Sequence, residues 1–154
     1  MSKEEIDLNQ ESGGQAPVDT IGQAEQLLKE ATVMQFSTID KRGFPNIVAL
    51  TPLKLERSLK QVLFYTDRDT TTVHNIVESS KVSIYCFNER YHCSVGLQGY
   101  AGLVSRSEIQ KSYVNDLTKY QKSLNYKHPV FLRFTTIFVK VRYQDNVTFQ
   151  KLLN

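Results

Sequence analysis

The stretch from Cys93 to Ser105, CSVGLQGYAGLVS, restricts the possible folds more than any other part of this chain. Its apolar pattern predicts one long β-strand, and glycines interrupt that strand at positions 96, 99 and 102. Glycine inside a strand weakens a flat sheet, but it allows the strand to coil and to form bulges. Because the closing of a barrel requires both, the stretch predicts a curved sheet rather than a flat one.

Five more strands are predicted around this one, and several of them are joined by turns of hairpin length. Short connections favour antiparallel pairing. The strand at 46–53 is nearly continuous in apolar residues, which predicts that both of its faces are covered. The expected fold is mainly β with flanking helices, and its sheet is a small closed or partly closed antiparallel barrel. The six strands are predicted at residues 33–39, 46–53, 60–66, 81–87, 93–105 and 130–143.

Apolar residues at a spacing of three and four predict three helices. The first begins at Asp19 or Thr20 and ends by Thr32, and a short second helix carries Val73 and Ile76 on its buried face. A third is predicted over residues 107–123, and residues 147–153 form a last short helix or strand. The buried residues expected in the third helix are Ile109, Val114, Leu117 and Tyr120, and those expected on one face of the last long strand are Phe131, Thr135, Ile137, Val139 and Val141.

The first residues of the chain differ in composition from the rest. Residues 1–17 are polar and end in Gly13, Gly14 and Pro17, which predicts a mobile N-terminal arm that folding does not need. Residues 18–154 are numerous enough to enclose a core, so they are expected to form a single domain.

Composition argues against several classes of function. The net charge is only +3 and the signs are mixed, so no nucleic-acid partner is expected. No apolar run is long enough for a membrane span, and no targeting segment is visible, which favours a soluble cytoplasmic protein. The cysteines, Cys86 and Cys93, do not indicate a disulfide scaffold. With His92 they lack the spacing of metal ligands, so no metal site is expected.

The sequence FYTDRDTTTVHNI, residues 64–76, places three consecutive threonines where a predicted strand ends and a helix begins. The start of a helix offers unpaired N–H groups and about half a positive charge, which favours an anion. The hydroxyls at 70–72 add donors, and Arg68 can add a charged bidentate contact. The alternative is an ordinary helix start, in which Asp69 caps the helix with the amides that a phosphate would need.

Three segments of the chain resemble the flavin-binding split-barrel family typified by pyridoxamine 5'-phosphate oxidase, and in particular its short, general-stress-protein-like members. They read VMQFSTIDKRGFPNIVAL, VLFYTDRDTTTVHNIVESSKVSIYCF and SVGLQGYAGLVS. The resemblance extends from Ile21 to Tyr143. It implies a six-stranded antiparallel split β-barrel, a homodimer, and FMN bound in two grooves at the dimer interface.

The resemblance also implies where the FMN phosphate is held. In the family, an aromatic residue and a threonine end the third strand, and a Ser/Thr–Arg–Lys pattern starts the following helix. Tyr65 and Thr66 match the first part, and Thr70 matches the Ser/Thr. The arginine and lysine positions fall on Thr71 and Thr72, so the usual positive charge is lost there.

Two other parts of the flavin site follow from the same resemblance. The polar edge of the isoalloxazine ring would bond the backbone of Ile47, Val48, Ala49 and Leu50. Ser94 aligns with a polar residue that the partner subunit offers to the flavin, although a plain strand serine is the alternative. The apolar character of the second and fifth strands on both faces independently predicts an obligate dimer interface.

The sequence departs from the oxidase at its substrate-binding positions. The oxidase uses a basic residue in the second strand, where this chain has Asn46, and a tryptophan that this chain lacks altogether. We therefore expect an FMN-dependent oxidoreductase that acts on some other small molecule, since FMN itself carries out the redox chemistry. The alternatives are a non-catalytic protein that binds flavin or haem, and a structural dimer that has lost its ligand.

Overall fold

The structure is a computed structural model and describes residues 20–152, so the predicted arm at 1–17 lies outside the described residues. The helices are α1 (Thr20–Glu30), α2 (Thr71–Glu78), α3 (Lys111–Asn115) and α4 (Lys119–Ser123). The strands are β1 (Met34–Ile39), β2 (Pro45–Leu50), β3 (Gln61–Asp67), β4 (Lys81–Asn88), β5 (Cys93–Leu103), β6 (Pro129–Tyr143) and β7 (Asn146–Lys151). The structure confirms the mainly β fold, the six predicted strands and the first two helices. The segment near residue 150, predicted as either a helix or a strand, is a strand.

All of these strands join one antiparallel sheet. Its order is β2–β1–β4–β5–β6–β3, and β7 pairs with β6 beside that path. The two ends of the path meet at a short seam, where Pro52 bridges Phe64 and the Leu53 N–H donates to the Leu63 carbonyl at 2.8 Å. The sheet therefore curves back on itself and is only partly closed between β2 and β3, as expected for a split barrel.

A bulge in β6 reverses the direction in which its side chains point. Gln98 pairs with Phe138 and Gly99 pairs with Thr136, which leaves Ile137 as an extra residue. An extra residue exchanges the inner and outer faces of a strand. The prediction that Thr135 and Ile137 share the buried face of Val139 and Val141 is wrong for this reason. The residues facing the core are Leu132, Phe134 and Thr136 before the bulge and Val139 and Val141 after it.

Gly99 permits the close approach of β5 and β6 at this bulge. A Cβ added to Gly99 would lie 1.9 Å from the Thr135 carbonyl oxygen, so no larger residue fits without a shift of the backbone. At Gly102 an added Cβ would meet nothing within 4 Å. Of these two strand glycines, Gly99 is therefore the one that the curvature of the sheet requires.

Two apolar clusters hold the sheet and helices together. The larger cluster fills the curved sheet, where α1 contributes Ala24, Leu27 and Leu28 and packs on β5 and β6. The smaller lies on the opposite face of β3 and β6, under α3, and its largest side chains are Tyr113 and Phe131. Because both faces of these two strands are covered there, residues 62–64 and 130–132 are apolar without alternation.

Arg57 joins the end of α1 to the seam. Its guanidinium donates to the carbonyl oxygens of Leu28, Lys29 and Ala31 at the end of α1 and to those of Pro52 and Leu53 beside the seam. The five N···O distances lie between 2.8 and 3.1 Å. Burial lowers the pKa of Arg57 from its usual value, but the group stays charged. A positive charge also suits the end of a helix, where the dipole is negative.

The prediction of one helix over residues 107–123 is wrong, because Asp116 interrupts it. The Asp116 carboxylate accepts the backbone N–H groups of Lys54 and Leu55 at 2.8 and 3.0 Å, which draws the chain away from a helical path. Thr118 then begins α4 with a capping box to Gln121. The break changes which residues are buried: Val114 and Tyr120 are exposed, Ile109 and Leu117 are half-buried, and Tyr113 and Gln121 are buried.

β2 is covered on one face only within a protomer, so the cover expected on its other face would have to come from a second copy. Val48 and Leu50 pack against the main core, whereas Ile47 is 66% exposed on the outer face. Its partner β1 shows a similar division, with Met34, Phe36 and Thr38 buried and Gln35 and Ile39 exposed.

Among the described residues, no helix has the length and apolar character that crossing a bilayer takes.

Candidate functional site

The turn between β3 and α2 is closed by Thr70 rather than by Asp69. The Thr70 hydroxyl accepts the Val73 N–H at 3.3 Å and donates to the Asp67 carbonyl at 2.9 Å. Thr70 is therefore the N-cap of α2, and the alternative in which Asp69 caps the helix is wrong. The Thr70 hydroxyl is already used within the protein, so it is not a spare donor for a ligand.

The carboxylates of this turn are held by His128, which lies just before β6. Asp67 accepts the Asp69 N–H at 2.8 Å and the His128 N–H at 3.2 Å, and these backbone contacts lower the pKa of Asp67. Asp69 lies 2.8 Å from Nδ1 of His128. One ligand atom from each of Asp67, Asp69 and His128 lies within 4.8 Å of the others. Because these atoms are engaged in hydrogen bonds to one another or to the backbone, we assign the cluster to holding the turn.

Sequence reasoning missed His128, because nothing in its own neighbourhood marks it. It reaches the turn through the pairing of β3 with β6, which sets Asp67 opposite Pro129. The Arg68 N–H also donates to the His128 carbonyl at 2.9 Å. The turn and the entry to β6 are therefore one rigid unit, and only the pairing of β3 with β6 could have indicated it.

The remaining donors of the predicted phosphate site differ in how accessible they are. Thr71 is exposed, but Thr72 is only 6% exposed and packs inward. The Arg68 side chain is exposed and forms no hydrogen bond or ion pair within residues 20–152. An anion at this turn would therefore find Arg68, Thr71 and the first N–H groups of α2. The carboxylates Asp67 and Asp69 outnumber the single arginine, so the formal charge of the turn is about −1 with His128 neutral.

Tyr65 and Thr66 support the turn from inside. The centre of the Tyr65 ring lies 5.3 Å from that of Tyr126 and 5.5 Å from that of Phe131. Burial raises the pKa of the Tyr65 hydroxyl. Thr66 is buried and lies opposite Val130 in the β3–β6 ladder. Both residues fix the end of β3, and Tyr65 is half-buried among other rings.

The structure brings β2 and the α2 turn to the same neighbour, β1. Asn75 of α2 donates to the Thr38 hydroxyl of β1 at 3.0 Å, and Thr38 lies opposite Asn46 at the start of β2. Of the predicted ring-binding residues, Ile47 and Ala49 face outward, whereas Val48 and Leu50 contact the core. Because Thr38 is buried on the core face of β1, this contact joins α2 to the core side of the sheet, whereas Ile47 and Ala49 lie on the opposite side.

Ser94 is not brought to these residues within one protomer. It begins β5 and lies opposite Phe87 and Arg142, at the end of the sheet away from Thr38. Strand β4 also separates it from β1 and β2. Ser94 and the outer face of β2 are therefore on separate parts of the sheet within one protomer.

The comparisons with known proteins agree on the architecture. No curated protein matches the chain, but the sequence profile described as pyridoxamine 5'-phosphate oxidase matches residues 21–143. A protein related to general stress protein 26 of Bacillus subtilis, from Clostridium acetobutylicum, is similar in structure. It is 18% identical, with a TM-score of 0.71 over 86% of this chain and 94% of that one.

Two proteins that are named for haem are also similar in structure. The haem-binding protein of Mycobacterium smegmatis is 12% identical, with a TM-score of 0.71 over 89% of this chain and 60% of that one. HutZ, the haem storage protein of Vibrio cholerae, is 13% identical, with a TM-score of 0.59 over 76% of this chain and 89% of that one. At these identities the likeness concerns the fold. Since the family profile spans most of the sequence, the chain belongs to the pyridoxamine 5'-phosphate oxidase family.

Proposed function

We propose that this protein binds FMN at a site shared by two copies of the chain, and that it acts as a flavin-dependent oxidoreductase on a small molecule other than pyridoxamine phosphate. The observation that carries the proposal is the junction of α2, β1 and β2. An accessible arginine, Arg68, precedes α2, which is joined to β1, and β1 pairs with β2, whose outer face is exposed. These elements offer a phosphate contact at the helix start and a surface for a flat ring on β2.

The residues of this chain have separate roles in that proposal. Arg68, Thr71 and the α2 amides bind the phosphate, while the backbone of Ile47 and Ala49 orients the ring. FMN supplies the redox chemistry when it is bound, so the protein's part is to position the ring and exclude water. The residues fit FMN only with a weakened phosphate contact, because one arginine stands against Asp67 and Asp69.

A homodimer belongs to the same proposal. Large apolar side chains are exposed on the outer face of the sheet, among them Ile47, Tyr85, Phe87, Tyr100 and Phe138. Large apolar side chains gathered on one face of a sheet often mark a surface that a partner covers. A second copy would cover it and would bring Ser94 of the partner subunit to the ring. We expect sedimentation to give twice the chain mass at micromolar concentration, and a monomer would contradict the two-chain site.

Haem binding is the second candidate, and the two structurally similar haem proteins favour it. Histidine is a common ligand of haem iron, and His74, His128 and His92 at the β4–β5 turn are all exposed. The visible spectrum of the purified protein separates the candidates. Absorbance near 450 nm that disappears on reduction supports flavin, whereas a strong band near 400 nm that shifts in His92→Ala supports haem.

The site itself is tested by titrating the apoprotein with FMN and with riboflavin, which lacks the phosphate. Charge-assisted contacts contribute about twice as much as neutral ones. We therefore expect Arg68→Ala to weaken FMN about tenfold or more and Thr71→Val to weaken it less, with riboflavin unchanged in both. Arg106→Ala is the matched control, because Arg106 is exposed and unpaired in the described residues. If wild-type protein ignores FMN and stays colourless, the proposal is wrong.

A further inference from the structure

The outer face of the sheet contains a cavity of about 410 Å³. Its floor is a row of three polar side chains, Ser37, Ser83 and Gln98, on neighbouring strands. Ser37 of β1 lies opposite Ser83 of β4, and Ser83 lies opposite Gln98 of β5. Directly opposed residues point to the same side of a sheet, and neighbouring strands lie about 4.8 Å apart, so the floor is roughly 10 Å long.

Larger side chains border this floor. Lys81 lies two residues before Ser83, Tyr100 lies two residues after Gln98, and the two oppose each other in the β4–β5 ladder. Because alternate residues of a strand share a face, both point to the same side as the floor. Phe138 lies opposite Gln98 at the end of the row. The serines are small and leave the space that the larger side chains enclose. The apolar surface of the cavity comes from Ile39, Tyr100, Ile137 and Phe138.

The polar side chains of the cavity are not paired with other parts of the protein. The three side chains of the floor and that of Lys81 form no hydrogen bond or ion pair within residues 20–152. The cavity therefore offers two hydroxyls, an amide and an ammonium group to an external molecule. A concave and largely apolar surface with a few converging polar groups is the usual form of a small-molecule site, and the volume lies in the usual range.

The charges on this part of the sheet favour an anion. The strands β1, β2 and β4–β7 contain no aspartate or glutamate. Arg133 of β6 is paired with Glu108 at 2.9 Å, so its charge is already offset. Arg142 is unpaired within the described residues, but it lies opposite Ser94 and does not line the cavity. Lys81 is the cation among the lining residues, and one ammonium group matches the charge of a carboxylate better than that of a phosphate dianion.

We propose that this cavity binds a flat organic anion, an aromatic carboxylate of one or two rings. The carboxylate contacts Lys81 and accepts from the hydroxyls of the floor, while the ring lies between Tyr100 and Phe138. The cavity adjoins the face of β2 on which the flavin ring is proposed to lie, because Ile47 lies opposite Ser37 in the β1–β2 ladder. Binding of the carboxylate does not require FMN.

A second copy of the chain is the competing occupant, because the proposed homodimer would cover Tyr100 and Phe138. Two copies that met through this face would bring no carboxylate to Lys81 from the facing strands, which contain none. A charged or polar group that is buried without a partner is costly. The cavity would therefore still favour an anion when it is enclosed between two copies.

The first test is a titration of 2-naphthoate with the purified protein. The fluorescence anisotropy of the naphthoate itself reports binding, since the chain has no tryptophan. We expect saturable binding with a Kd of about 1 mM or below, which is ordinary for a ligand of this size. The neutral analogue 2-naphthalenemethanol should bind more weakly. If naphthoate does not bind to the wild type, the inference is wrong.

The role of the charge is tested with Lys81→Gln. We expect this variant to bind naphthoate about tenfold or more weakly than the wild type does, with little change for the neutral analogue. Lys140→Gln is the matched control, because Lys140 is a cation of the same face that does not line the cavity, and it should bind both compounds normally. Equal affinity of Lys81→Gln and the wild type for naphthoate would overturn the inference.

The second test fills the cavity. Ser83 is exposed, so Ser83→Leu should leave the fold intact by circular dichroism, and the larger side chain should abolish the binding of both compounds. If Ser83→Leu binds naphthoate normally, the ligand lies elsewhere and the inference is wrong. If the wild type ignores naphthoate and Ser83→Leu instead changes the sedimentation of the protein, a second copy fills the cavity, which also overturns the inference.

The naphthoate titrations are carried out in the absence of FMN, so their outcome is separate from that of the proposed function. A protein that binds naphthoate through Lys81 but ignores FMN would support this inference and contradict the proposed function. A protein that binds FMN but not naphthoate would do the reverse.

Discussion

Replacing Arg57 by methionine tests whether a single side chain joins α1 to the seam of the barrel. The change keeps most of the apolar stem and removes five hydrogen bonds to backbone carbonyl groups. Hydrogen bonds to a charged group contribute about 1.5–3 kcal/mol each. The five bonds share one charge, and water can reach some of the carbonyls once the guanidinium is gone. The effect should therefore equal one or two such bonds rather than five.

We expect Arg57→Met to lower the free energy of unfolding by about 3 kcal/mol, of which roughly 0.3–1 kcal/mol reflects the lost charge at the end of α1. In a chain of this size that corresponds to a fall in Tm of roughly 6–12 °C. Urea unfolding followed by circular dichroism measures the first quantity, and calorimetry measures the second. The stability of Arg57→Lys should fall between those of the wild type and Arg57→Met, because an ammonium keeps the charge but has three donors in place of five.

The matched control is Arg106→Met, which should change the unfolding free energy by less than about 0.5 kcal/mol. A loss below about 1 kcal/mol in Arg57→Met would refute the reasoning, because it would mean that water replaces the guanidinium at nearly all of the carbonyls. An Arg57→Lys variant as stable as the wild type would refute the narrower point that the shape of the guanidinium matters.

Three other outcomes follow from the structure. Gly99→Ala should destabilise the protein by at least about 2 kcal/mol in urea unfolding, because its Cβ would meet the Thr135 carbonyl, whereas Gly102→Ala should not. The pKa of Asp67 is lowered in the folded protein, so the unfolded chain binds a proton at this carboxylate at a higher pH. The stabilising effect of the charged carboxylate is therefore present above the ordinary carboxyl pKa of 3.8 and is lost as pH falls through the folded pKa. Asp67→Asn should therefore lose less stability than the wild type as the pH falls. Equal slopes of unfolding free energy against pH in the two proteins would contradict this. Burial raises the pKa of the Cys86 thiol to about 12, so a thiol reagent at about pH 8 should label Cys86 only after unfolding.

The strands could be predicted from the sequence because their signals are local. β4 alternates strictly between buried and exposed side chains, and the turn at Gly43 adopts the positive φ of 84° that only glycine takes up freely. The register of the last strand could not be predicted, because the bulge at Ile137 depends on how β5 and β6 meet. The apolar pattern along one strand does not indicate how a neighbouring strand pairs with it.

The candidate site was predictable only in part, for the same reason. The position of the helix start after β3 follows from the sequence, and Thr70 lies where an N-cap is needed. The choice between Thr70 and Asp69 depends on His128, 59 residues away from Asp69 along the chain. Likewise, the interruption between α3 and α4 depends on contacts of Asp116 with backbone N–H groups 61 and 62 residues away. Long-range polar contacts of this kind leave no periodic signal.

The position of β6 in the sheet has a consequence for the order in which the protein can fold. β6 pairs with β3, β5 and β7, so three strands depend on a segment that begins at Pro129. During synthesis, β3 has only the bridge at Pro52 until β6 leaves the ribosome, and its hydrogen-bonding edge is open throughout that time. The strands β1, β2, β4 and β5 can pair earlier through neighbouring ladders. The strands β3 and β7 can therefore join the sheet only after residues 129–143 have emerged.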